Sequence, residues 1–118
     1  MAYRSFEELE VWKDGCRLAV EIHDAFQDCR HFALRDQVCR ASISISSNIA
    51  EGAERGSTKE FIRFLHIAKG SAAEVRTQLY IAAKLQLLSS SAAKDLTERL
   101  KQLSAQLQTL INSLQPKT

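Results

Sequence analysis

Proline occurs once in the 118 residues, at Pro116, and glycine four times, so little of the chain is available for loops, which favours an all-helical design. The three cysteines, Cys16, Cys29 and Cys39, are odd in number and have no paired spacing, which excludes a disulfide framework. Cys16 and His23 would share one helix face and Cys29 lies close to His31, but a zinc site needs about four ligands at recognisable spacing. No metal or other cofactor is expected, and the thiols read as small buried groups. No apolar run approaches the length of a membrane span. The opening Met1-Ala2-Tyr3-Arg4-Ser5-Phe6-Glu7-Glu8 holds acids where a signal peptide would be apolar, so the expected location is the cytoplasm, with no membrane partner. Net charge is +2, too weak to announce a nucleic-acid binder by itself. There is no glycine-rich phosphate loop, nucleophile elbow or His-Glu helix pair, so neither an enzyme nor a small-molecule substrate is expected.

What the chain does have is helical periodicity. A hydrophobic fraction of 45% and a charged fraction of 25% are those of an ordinary globular protein. The organising stretch runs from Leu34 to Ala82. Leu34, Val38, Ala41, Ile45, Asn48 and Gly52 recur at steps of four and three, as do Phe61, Leu65, Ala68, Ala72, Val75, Leu79 and Ala82. Between them Gly56 is placed to end one helix in a left-handed conformation, and Ser57-Thr58-Lys59-Glu60 fits a capping box for the next. Two helices joined so tightly must be antiparallel, with facing residues summing to about 113. Ala41 and Ser44 then meet Lys69, Gly70, Ser71 and Ala72, and these small residues allow close approach.

The first helix carries two apolar stripes, one of Leu9, Trp12, Cys16, Ala19, His23 and Phe26 and one of Val11, Gly15, Leu18, Ile22 and Ala25. This face is wider than one bundle core needs, which points to a second partner. With the outward line of Ile43, Ser47 and Ala50 it predicts a homo-oligomer with Val11, Leu18, Ile22 and Ile43 as contacts. Phe32 is expected to turn into the core end, and His23 to be a packed, hydrogen-bonded histidine. Gly70 lies inside the long third helix, where close helix approach or a bend would compensate its cost. Ser89-Ser90-Ser91 can cap a last helix striped by Leu96, Leu100, Leu103, Leu107, Leu110 and Leu114. The prediction is all-α: one antiparallel up-down-up-down four-helix bundle over residues 1–118, with helices at about 8–27, 34–55, 58–86 and 92–114.

Two sets of polar residues invite a functional reading. Arg40, Ser44, Asn48 and Glu51 lie close to the core on the second helix, and antiparallel counting sets Arg40 near Glu74 and Glu51 near Arg63. A catalytic reading makes Glu51 a general base. The structural reading, preferred here, makes Arg40, Ser44, Asn48, Glu51 and Glu74 polar pins that disfavour slipped packings. The second set is a basic stripe of Arg55, Lys59, Arg63 and Lys69, with His66 beside it, which is either a solvated surface or a phosphate-tracking one.

Phe6-Glu7-Glu8-Leu9-Glu10-Val11-Trp12, Gln37-Val38-Cys39-Arg40-Ala41-Ser42-Ile43-Ser44, Ser47-Asn48-Ile49-Ala50-Glu51-Gly52, Lys59-Glu60-Phe61-Ile62-Arg63-Phe64-Leu65 and Ala68-Lys69-Gly70-Ser71 together resemble the 23S ribosomal RNA intervening-sequence proteins. The resemblance implies a four-helix bundle that assembles as a homopentamer, and it brings no catalytic residues. A relative of that family, the accessory variability determinant of diversity-generating retroelements, is a basic pentamer that binds nucleic acid and a reverse transcriptase. Two functions stay open: an oligomeric module that binds RNA or a nucleic-acid-processing protein, and an oligomeric protein scaffold with no nucleic-acid affinity.

Overall fold

Residues 5–116 are described by the computed structural model; Met1 to Arg4, part of the stretch read above for a leader, lie outside it, as do Lys117 and Thr118. A short 3-10 turn, Phe6–Glu8, precedes four helices: α1 (Glu10–Ala25), α2 (Phe32–Glu54), α3 (Thr58–Lys84) and α4 (Ser90–Leu114). Capping chemistry explains where each begins and ends. The Ser5 amide donates to Glu8 Oε2 at 3.2 Å, part of a Ser5–Glu8 capping box that closes only the 3-10 turn. Leu9 is extended at ψ 126°, so α1 starts after it. α2 begins earlier than the periodicity indicates because the Leu34 amide donates to the His31 ring at 3.3 Å. Phe32 thereby falls on the first turn of α2, 57% exposed, with the Arg35 guanidinium 4.8 Å over its ring; it does not turn into the core.

At the α2–α3 turn Gly56 takes φ 80°, the left-handed value its position requires. The Glu60 amide donates to Ser57 Oγ at 3.0 Å, one half of the capping box, while the Glu60 carboxylate turns to Arg63 at 2.9 Å. α3 stops at Lys84 because Gln86 adopts φ 61°. The Leu87 amide donates to the Ala82 carbonyl at 2.9 Å and the Gln86 amide to Ala83 at 3.0 Å. This double closure normally recruits glycine. Ser89 then caps α4, accepting from the Ala92 amide at 3.2 Å.

Cross-helix pairs fix the direction of each helix. Ser44 and Ser71 share a hydrogen bond of 2.8 Å, and Gly52 lies so close to Phe64 that a Cβ there would overlap it. As the α2 position rises the α3 position falls, so the two are antiparallel. Ser46 Oγ donates to the Trp12 carbonyl at 3.0 Å, and at the other end His23 and Cys39 line one hollow, so α1 and α2 are antiparallel too. Arg99 donates to Glu21 at 2.6 Å, while Leu18 and Leu103 line a cleft further along the α1–α4 seam. Lys69 Nζ donates to Gln108 Oε1 between α3 and α4. Among the described residues each helix touches its two sequential neighbours and α4 returns to α1, an up-down-up-down bundle measuring 48 × 23 × 19 Å.

Ile22, Phe26, Ile45, Ile49, Phe61, Leu65, Leu79, Leu100, Leu107 and Ile111 are sealed from solvent. Each such side chain contributes about 1.5–3 kcal/mol. The α1 stripe that faces this core is Val11, Gly15, Leu18 and Ile22. Val11, Leu18 and Ile22 are therefore intrachain core residues and not oligomer contacts, a correction to the sequence reading. Gly70 is corrected as well: a Cβ there would meet nothing within 4 Å, whereas Gly15, against Ser46, and Gly52 are where the backbone truly comes close.

Candidate functional site

Two surfaces stand out once the core is assigned. The first is the outer face of α1 and α2. With Val11, Leu18 and Ile22 turned inward, Trp12, Cys16, Ala19 and Val20 remain outside on α1, opposite Ile43, Ser47 and Ala50 on α2. Together they line a shallow, mainly apolar groove. Val20 is 61% exposed and Ile43 48%. The sequence held the signal that ranks the two stripes of α1: His23 belongs to the outer one, and the structure leaves it exposed, its Nδ1 donating to the Ala19 carbonyl at 3.0 Å. It is not packed as expected.

The second surface is basic. Arg55 and Arg63 lie at the α2–α3 turn, and both are neutralised. Arg55 pairs with Glu51 at 3.0 Å and with Glu60 at 3.9 Å, and Arg63 pairs with Glu60 at 2.9 Å. The Arg63 hydrogen bond holds the Glu60 carboxyl below its usual range. Both guanidiniums also cover the ring of buried Phe64, at 4.9 and 4.6 Å. Lys59 is exposed near them. Lys69 is about 15 Å along the helix from Lys59 and reaches toward α4, so the four residues do not form one patch.

The polar pins also separate. Ser44 bonds across to Ser71, and half-buried Asn48 donates to the Ser44 carbonyl of its own helix at 2.8 Å. Arg40, Glu51 and Glu74 are exposed; none is a buried pin, and neither the Arg40–Glu74 nor the Glu51–Arg63 ion pair forms. Glu51 is held by Arg55, and Glu74 accepts from Gln78 at 3.4 Å. The cross-helix bonds that sequence counting missed are Ser46 to Trp12, Arg99 to Glu21 and Lys69 to Gln108. Of these, Ser46 was the legible one, a small hydroxyl three residues after Ile43 and opposite Gly15.

The free thiols Cys16, Cys29 and Cys39 are half-buried, and burial pushes the Cys39 thiol up. Among the described residues no three His, Cys, Asp or Glu side chains are placed to hold a metal ion, and no helix is long and apolar enough to cross a membrane.

The model of the family described as 23S rRNA-intervening sequence protein matches residues 7–109. The chain belongs to this family. Its fold is that of a protein of unknown function from the S23 ribosomal protein family of Bacteroides thetaiotaomicron VPI-5482, with a TM-score of 0.81 and 22% identity over 86% of this chain and 97% of that one. Comparison with curated proteins gives no match. For this intervening-sequence protein, then, the family model and the fold agree, and the candidate function rests on its surfaces.

Proposed function

We propose that the protein is a non-enzymatic, cytoplasmic homo-oligomer, a pentamer as the family resemblance implies, serving as an accessory or scaffold associated with RNA or a ribonucleoprotein. The observation that carries the oligomer is the α1–α2 groove. Trp12, Ala19, Val20 and Ile43 present apolar surface that no other part of the described chain covers. Contiguous apolar surface of this kind on a small bundle is expected to meet a partner. The non-enzymatic reading is supported by Glu51, the candidate base, which is exposed and bound to Arg55. RNA association is supported by the family description, which names 23S rRNA, and by the excess of Lys and Arg in residues 57–118.

Light scattering at micromolar concentration tests the assembly. The expected mass is five times 13.2 kDa. A monomer mass rejects the proposal. Val20→Glu, at an exposed site, is expected to yield a helical monomer, whereas Leu18→Glu, only 2% exposed, is expected to unfold the chain. A second reading, a protein scaffold without nucleic-acid affinity, is favoured by one observation: Arg55 and Arg63 are already ion-paired.

A further inference from the structure

Charge is unevenly divided along this chain. Residues 1–56 hold seven Lys and Arg against ten Asp and Glu, a net of −3, and residues 57–118 hold nine against four, a net of +5. The ion pairs sharpen that division. Lys13, Arg17, Arg35, Arg55, Arg63 and Arg99 all have carboxylate partners. Among the described residues Lys69, Arg76, Lys84, Lys94 and Lys101 have none and all five belong to α3 or α4; Lys59 at the start of α3 and the scattered Arg30 and Arg40 are also without an ion pair. On α4, Lys94, Lys101 and Gln108 recur at steps of seven and so form one line; Gln108 is the residue that Lys69 reaches from α3. Lys69 and Arg76 repeat the same step on α3. Arg76 is half-buried with its Nε shielded and unpartnered, and Ser104 Oγ, one turn beyond Lys101 on α4, is likewise shielded and unpartnered. Tyr80, one turn beyond Arg76, is 64% exposed, with Lys84 Nζ 5.5 Å from its ring centroid. Three carboxylates are near these cations: Asp95 turns to Arg99, Glu74 to Gln78, and exposed Glu98 forms no ion pair among the described residues.

We infer that the outer face of α3 and α4 is a binding surface for single-stranded RNA, with Lys69, Arg76, Lys84, Lys94 and Lys101 tracking phosphates and Tyr80 stacking on a base. The inference deepens the RNA-associated reading above, on which it rests, and moves the contact away from the ion-paired Arg55 and Arg63. Unpaired cations release counterions when they meet phosphate, whereas a cation already bound to carboxylate must first break that pair. An exposed aromatic ring beside cations supplies the sequence-tolerant stacking that single strands use. In the ring of helices the α3–α4 side is opposite the apolar α1–α2 groove, so assembly through one leaves the other open.

The test is fluorescence anisotropy with a labelled, unstructured 20-nucleotide RNA at several salt concentrations, using the full chain. Lys84, Lys94 and Lys101 are exposed, so their joint replacement by Ala leaves the fold intact by circular dichroism. That triple variant is expected to lower the slope of log affinity against log salt by about 2, and affinity at low salt by at least about tenfold. Tyr80→Phe is expected to bind like the wild type and Tyr80→Ala about tenfold more weakly. The double variant Arg55→Gln, Arg63→Gln is expected to change affinity by less than about twofold. If the wild type binds RNA, and the triple variant binds as well while the Arg55, Arg63 double does not, the surface assignment is overturned and RNA association stands. If the assembled wild type binds no RNA but binds polyglutamate with a salt dependence that the triple variant removes, both the RNA reading and this inference fail, and the face is a protein-docking surface.

Discussion

Single residues show where this fold is tight and where it is strained. Gly52 has no room for a methyl against Phe64, so Gly52→Ala is expected to destabilise by about 1–3 kcal/mol, read as a lower urea midpoint. Gly70 has open space around it in the interior of a 27-residue helix, so Gly70→Ala is expected to stabilise by about 0.5–1 kcal/mol. Gln86 holds a left-handed φ of 61° without being glycine. Gln86→Gly relieves that strain and is expected to raise stability by about 1 kcal/mol in the same measurement. The opposite signs at Gly52 and Gly70 are a stringent check, because intrinsic helix propensity alone would favour alanine at both positions.

Among the elements, α4 depends on α1 through polar chemistry more than any other pair does. Arg99 binds Glu21 through both nitrogens, 2.6 Å each, and this hydrogen bond lowers the Glu21 carboxyl below its ordinary value of 4.5. A carboxylate whose folded value is depressed stabilises the fold above its unfolded value, and that contribution disappears as pH falls through the folded one. Glu21→Gln is therefore expected to flatten the acid limb of a stability-versus-pH curve below about pH 4.5 and to leave the slope near neutrality unchanged. The pair is partly exposed, so the effect at neutral pH is at most about 1 kcal/mol. The α2–α3 hairpin, by contrast, is closed by small residues, with Ala41, Ala68 and Ala72 buried and Ser44 bonded to Ser71. At its turn the Glu60 carboxyl is also depressed, by the hydrogen bond from Arg63, so Glu60 acts on the acid limb with the same sign as Glu21.

For the whole molecule, the apolar α1–α2 groove and the row of unpaired cations on α3 and α4 lie on opposite sides of the bundle. Apolar association weakens little with added salt, whereas phosphate binding falls steeply. Raising salt from 50 to 300 mM is therefore expected to leave the light-scattering mass unchanged while RNA affinity falls; a mass that falls in parallel would place charge in the subunit interface. The same separation explains why net charge was a poor guide. A total of +2 hides a +5 half and a −3 half, and the acidic half contains the apolar groove.

The sequence alone determined four helices, their antiparallel order and the α2–α3 register. Those follow from local rules: steps of four and three, Gly56 past a helix end, and serines 57 and 89 at helix starts. It held one pointer to which of two apolar stripes on α1 faces inward, His23 in the outer stripe, but Phe26 at the end of that same stripe is fully buried. Only packing against α2 and α4 settles that choice, through Gly15 under Ser46 and Leu18 beside Leu103. Nor could it determine which cations are free. Arg63 has Glu60 one turn before it in the sequence itself, but Arg99 meets Glu21 from 78 positions away, and Arg76 meets no carboxylate among the described residues. Charge pairing depends on distances of a few ångströms between side chains, and across the bundle those distances exist only after the helices have packed.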